Sequence, residues 1–142
     1  MNRTKRLLLV AMVVLSLVGV GNSFIVYEKV SGNFYAPCII GDGCDTVVYS
    51  SYATFLGVSL SVWGMLFYAM VCVLSILITF FSSWYRYARS VLLVLLCAGV
   101  LFSLYLLGLQ IFIIGALCAY CIVSFIDVTI LFFLGVAVAW RY

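Results

Sequence analysis

Hydrophobic positions in this chain run on rather than alternate. Apolar residues fill four stretches, at about 7–27, 58–81, 90–112 and 117–140, and polar residues collect between them. A helix needs roughly 20 apolar residues to cross about 30 Å of hydrocarbon. The pattern therefore predicts an all-α membrane protein, a four-transmembrane-helix bundle. Arg3, Lys5 and Arg6 precede the first run. Gly19 and Gly21 could mimic the cleavage site of a secretory signal, but the run is longer than a usual signal core and reads as the first spanning helix. The segment from Tyr27 to Cys44 is the most polar, and Gly41-Asp42-Gly43 predicts a tight turn there. Residues 47–57 are too short and too polar to span. They predict a short capping helix at the membrane surface between helices 1 and 2. A turn is expected near Gln110 to Gly115, between the third and fourth runs.

Composition sharpens the class. Of 142 residues, 68% are hydrophobic and 8% charged, where a soluble domain carries about 25% charged residues. A single integral membrane domain over 1–142 is expected, with no room for a soluble one. The net charge is +3, and its placement says more than its size. Four crossings put the N-terminus, the Arg86/Arg89 loop and the C-terminus on one side. Six of the seven cations fall there, with Lys29 the exception. By the bias of cations toward the cytoplasmic face, that side is cytoplasmic. This predicts a multi-pass protein of the cell membrane with both termini inside. Trp84, Tyr85, Trp140 and Tyr142 fit an aromatic belt at the same interface. Scattered cations make no basic face for nucleic acid. The absence of histidine weighs against a metal site and against a histidine base.

Candidate chemistry lies in the six cysteines. Cys72 and Cys97 fall in mid-run and read as small buried hydrophobes. Cys38, Cys44, Cys118 and Cys121 all reach the non-cytoplasmic side, where disulfides persist. Cys38 and Cys44 bracket the glycine-rich turn and could be a static staple. Cys118-Ala119-Tyr120-Cys121 places two thiols three residues apart on one helix face. Such a pair can close into a disulfide with little backbone movement. The free N–H groups and dipole of a helix N-terminus make Cys118 and Cys121 the activated sulfurs. Thiolate attack on a disulfide then passes electrons between pairs. Zinc held by four thiolates is an alternative, weakened by the oxidising compartment and by the loop spacing. No haem, flavin or dinucleotide motif is present. A lipid-soluble acceptor such as a quinone is the economical partner for thiols bordering hydrocarbon.

With four crossings, the loop pair Cys38/Cys44, the segment Ser50-Ser51-Tyr52-Ala53-Thr54-Phe55-Leu56-Gly57 and Gly115-Ala116-Leu117-Cys118-Ala119-Tyr120-Cys121, the chain resembles the vitamin K epoxide reductase family, in its prokaryotic type. The resemblance covers nearly the whole chain. It implies four helices around a quinone pocket. Cys118 and Cys121 would be the active-site pair, with Cys121 reacting with the quinone. Cys38 and Cys44 would be the shuttle pair, with Cys44 exchanging with Cys118. Ser50, Phe55, Trp63 and Phe125 are the pocket candidates that follow. Many bacterial members carry a fused thioredoxin-like domain. This chain stops at Tyr142, so a thioredoxin-like extracytoplasmic protein supplied in trans is expected. Vertebrate members use Asn and Tyr donors at positions falling near Leu60 and at Phe125. Their absence favours an ordinary quinone (ubiquinone, menaquinone or a relative) over vitamin K epoxide.

The expectation is a membrane thiol-disulfide oxidoreductase that passes electrons from a thioredoxin-like partner through two cysteine pairs to a quinone. Its product would be disulfide bonds in exported proteins. Asp127 is the one ionisable group deep in a helix. Such groups are functional candidates by default, and proton transfer to the reduced quinone competes here with a buried structural hydrogen bond. Two other readings fit length and composition. One is a small four-helix transporter using Asp127, whose transport would survive alkylation of every cysteine. The other is a non-enzymatic membrane subunit stapled by static disulfides.

Overall fold

The computed structural model describes residues 3–31, 54–115 and 119–140. Helix α1 runs Arg3–Ser31. A hairpin of β1 (Thr54–Phe55) and β2 (Val58–Ser59) leads into α2 (Leu60–Phe80). A 3-10 turn (Ser82–Trp84) leads into α3 (Tyr85–Leu109), and α4 spans Ala119–Trp140. Among the described residues four helices are long and apolar enough to cross a membrane. The expected four-helix membrane bundle is present.

Side-chain pairings give the directions. Gly19 of α1 lies against Tyr68 of α2, and Ser23 against Gly64. Numbers rise on one helix as they fall on the other, so the two are antiparallel. The same holds for α1 and α4, through Met12 with Gly135 and Asn22 with Tyr120. It holds again for α3 and α4, through Leu96 with Gly135 and Gly99 with Val128. The helices go up, down, up, down, and each packs against the next with α4 closing on α1.

The inward stripes are narrow. On α1, buried positions fall at Leu9, Met12, Ser16, Gly19 and Ser23; on α4 Val128, Leu131, Gly135 and Val138 continue the pattern, with Ala119 and Asp127 also buried. Steps of three and four residues make the seam of a left-handed bundle. Small residues on it let backbones approach, as membrane helices require. Two hydroxyls of α2 are satisfied within their own helix. Ser75 Oγ donates to Val71 O, and Thr79 Oγ1 to Ser75 O, both at 2.8 Å.

The bundle has two unlike halves. Leu9, Met12, Tyr68, Val71, Ile78, Ala88, Leu92, Leu96, Leu131 and Val138 form one cluster. All but Tyr68, which also lines the cavity described below, lie in the half that carries Arg3, Lys5, Arg6, Arg86 and Arg89. In the other half the helices part around a cavity.

Three expectations need correction. The end of the stretch read as a surface helix is a hairpin, with Thr54 paired to Ser59 and Phe55 to Val58. Leu56 (φ 53) and Gly57 (φ 79) take the turn with positive φ, the handedness that suits strand twist. Residues 47–53 lie outside the described residues, as does the Gly41-Asp42-Gly43 turn. Helix α3 begins at Tyr85, ahead of the run at 90, because Arg86 and Arg89 reach past the apolar zone; Arg89 sits 5.4 Å over the Tyr85 ring. Cys97 is exposed on the outer face of α3 and Cys72 is half-buried, neither in a disulfide. In a bundle bathed in lipid, an apolar run has an outward face as well as a core face.

Candidate functional site

The cavity, about 460 Å³, opens in the half of the bundle away from the cationic end. Helix α1 contributes Asn22, Ser23 and Val26. Helix α2 contributes the face from Leu60 to Tyr68, α3 the face from Leu95 to Gln110, and α4 contributes Tyr120, Cys121, Ser124 and Val128. Phe55 of the hairpin also lines the cavity. Trp63 Nε1 donates to Phe55 O at 3.1 Å. Their rings meet edge to face with centroids 6.0 Å apart, so the hairpin is held to α2 by a hydrogen bond and a ring contact.

At the end of α3 the helix widens. Residues Gln110–Ile114 form a π turn, closed by Gly115 at φ 74, whose N–H donates to Gln110 O. A side chain at that backbone conformation would be strained, so glycine ends the element there. The chain then turns back toward α4, and Asn22 Nδ2 donates to Tyr120 O at 3.1 Å. This bond ties the first turn of α4 to α1 and positions Cys121 on the cavity wall. Cys121 lies level with Asn22, 16 residues along α1 from Arg6, or about 24 Å at 1.5 Å per residue.

The floor is polar. Tyr68 is 2% exposed and crosses the bundle diagonal from α2 to α4. Its hydroxyl oxygen lies 3.1 Å from Ser124 O and 2.7 Å from Ser124 Oγ. Asp127 sits one helical turn beyond Ser124. It is 6% exposed, and neither carboxyl oxygen has a hydrogen-bond partner among the described residues.

Of the candidates read from sequence, Phe55, Trp63 and Cys121 line this one cavity. Phe125 is half-buried and not among the lining residues; its carbonyl accepts Thr129 Oγ1 at 2.7 Å. Cys38, Cys44, Ser50 and Cys118 lie outside the described residues. Asn22, Tyr68, Ser124 and Gln110 belong to the site without having been singled out. Their signal was there to find: each is a polar group inside a run that is otherwise apolar.

The lining suits a planar, mostly apolar ligand. Phe55, Trp63, Phe67, Phe102 and Tyr120 offer aromatic surface, the Tyr68 and Ser124 hydroxyls lie at the base, and the Asn22 and Gln110 amides lie toward the outer end. Small-molecule sites are commonly of this size and character. A quinone ring fits such walls, with its oxygens within reach of Tyr68, Ser124 or Gln110 as hydrogen-bond donors.

The model of the vitamin K epoxide reductase family matches residues 10–136, a stretch that takes in α2, α3 and the hairpin whole and nearly all of α1 and α4. Members of that family work in membranes on thiols, disulfides and quinones. The match favours redox chemistry over the transport and stapled-subunit readings. A match over so much of the chain, on four spanning helices that enclose a cavity bordered by a thiol, makes this multi-pass membrane protein an oxidoreductase belonging to the vitamin K epoxide reductase family.

Proposed function

We propose that the chain is a quinone-dependent protein-disulfide oxidoreductase. Electrons enter from a thioredoxin-like extracytoplasmic protein at Cys38/Cys44, pass to Cys118/Cys121, and leave on a quinone held in the cavity. The observation that carries this reading is the position of Cys121, on the wall of a quinone-sized cavity and at the end of the bundle remote from the cations. The charge bias makes the cationic end cytoplasmic, so the thiols work on the extracytoplasmic side, where exported proteins acquire their disulfides.

This chain's own residues bind, orient and exclude water. The aromatic wall, with Phe55 of the hairpin in it, takes the ring plane. Asn22 holds the first turn of α4, so that Cys121 keeps its place beside the ligand. Oxidation of Cys118 and Cys121 forms one S–S bond and releases two electrons and two protons. A bound quinone supplies the acceptor for both. A disulfide at Cys118/Cys121 is then reopened by thiolate exchange with the loop pair.

Alanine at each cysteine separates the two relays. Cys118→Ala or Cys121→Ala should abolish quinone reduction with any thiol donor. Cys38→Ala or Cys44→Ala should block reduction by a thioredoxin-like protein and spare reduction by a small membrane-permeant dithiol. Equal loss of both activities in all four variants would contradict the two-relay scheme.

A further inference from the structure

The cavity floor holds two proton-bearing groups, Tyr68 and Ser124, and a third, Asp127, lies one helical turn beyond Ser124 behind the lining. Tyr68 and Ser124 each have one hydroxyl proton and lie within hydrogen-bond distance of each other. Both are satisfied if Tyr68 donates to Ser124 O and Ser124 Oγ donates to the Tyr68 oxygen. Both also line the cavity. Asp127 follows Ser124 by three residues on the same side of α4. Cys121, Ser124 and Asp127 thus descend α4 as thiol, hydroxyl and carboxyl, in steps of about 4.5 Å along the axis.

Asp127 is the anomaly that needs a cause. A buried polar group without a partner is costly, and an ionisable one inside a membrane span is retained for function. Ion pairing does not account for it, because no donor reaches either oxygen among the described residues. Packing does not account for it either, since asparagine or leucine would fill the same space. What remains is proton exchange with the Ser124 hydroxyl one helical turn away, which must turn from Tyr68 toward the carboxyl, since no hydrogen bond joins the two in this structure.

We propose that the Tyr68 and Ser124 hydroxyls relay protons between the Asp127 carboxyl and a quinone in the cavity. The inference rests on the oxidoreductase reading above and adds the residues that serve its proton half. Tyr68 gives its proton to a quinone oxygen and takes one from Ser124. Ser124 takes one from Asp127. The carboxylate left behind is refilled, through the same hydroxyls, by one of the two protons released at the thiols, and the other passes to the second quinone oxygen. The sum is balanced: dithiol plus quinone gives disulfide plus quinol, with two electrons and two protons moved and none gained from outside. Tyr68 and Ser124 border the ligand, and Asp127 acts through them.

The test uses the full chain in lipid nanodiscs, with dithiothreitol as donor and a short-chain ubiquinone as acceptor, in H₂O and D₂O. The variants are Tyr68→Phe, Ser124→Ala, Asp127→Asn and the double Tyr68→Phe/Asp127→Asn. Tyr68→Phe keeps the ring and removes only the hydroxyl; if it fails to fold, Ser124→Ala carries the test. Each single change should lower kcat about 100-fold, within the range for positioned acid–base groups, with KM nearly unchanged. The double variant should be no slower than the slower single, because links of one chain are not additive. The wild type should show a solvent isotope effect on kcat that Tyr68→Phe alters. In quinone-free protein, the infrared carboxyl band that Asp127→Asn removes should shift in Tyr68→Phe. Wild-type kcat in Tyr68→Phe, multiplying losses in the double variant, or an unmoved carboxyl band would overturn the relay. A wild type that cannot reduce the quinone at all would instead overturn the oxidoreductase reading beneath it.

Discussion

Gly19 shows how much of this site depends on single atoms. A Cβ built on it would stand 2.4 Å from Tyr68 Cδ1, so the tyrosine reaches Ser124 only because position 19 has no side chain. Gly19→Ala should push the ring aside and destabilise the protein by about 1–3 kcal/mol, the usual scale of overpacking. It should also loosen the Tyr68–Ser124 contact. Thermal unfolding in detergent, with quinone reduction measured alongside, checks both; a variant as stable and as active as the parent would show that the contact is not needed. The inward face of each helix was legible at this scale. Ser16, Gly19, Ser23, Gly64, Ser75, Gly99, Ser124 and Gly135 interrupt the apolar runs wherever helices meet or a cavity begins. Apolar residues gave no such guidance, because lipid and core are equally oily. That is why Phe125 looked like a pocket residue and Cys97 like a buried one. Asp127 stood out for its charge, but its link to Cys121 became visible only with Ser124 between them.

At the level of elements, helices and hairpin were not equally readable. Length and hydropathy mark a spanning helix without ambiguity, and the four apolar runs are where the helices form. The hairpin lacks the Asn-Gly or Asp-Gly turn that usually announces one. Its turn puts a leucine at positive φ, which is uncommon for a residue with a bulky side chain. What fixes it is tertiary, the bond from Trp63 Nε1 to Phe55 O. Trp63→Phe keeps an aromatic ring and deletes that donor. It should cost about 1 kcal/mol, a typical net hydrogen bond, and should speed amide hydrogen exchange at residues 54–59 relative to α2. Unchanged exchange there would mean that the hairpin holds itself.

The whole molecule divides its labour by depth. The half bearing the cations is packed solid, and the half away from them is hollow and lined with chemistry. On the function proposed above, this division keeps the thiol reaction at one membrane face while the packed half seals the other. Sidedness can be read with a membrane-impermeant maleimide. Ser83→Cys, in the α2–α3 turn, should be labelled only in inverted vesicles, and Leu56→Cys, at the hairpin tip, only in right-side-out ones. The reverse pattern would overturn the orientation drawn from charge. The most direct test of the account is a single turnover without oxygen. Pre-reduced Cys38→Ala/Cys44→Ala protein, in which no loop thiol can reopen the product disulfide, is mixed in nanodiscs with one equivalent of quinone, and thiols are alkylated and mapped by mass spectrometry as quinol appears. The account predicts one quinol per chain, formed in step with the loss of two thiols at Cys118 and Cys121. Quinol formed while both of those thiols stay free would contradict it.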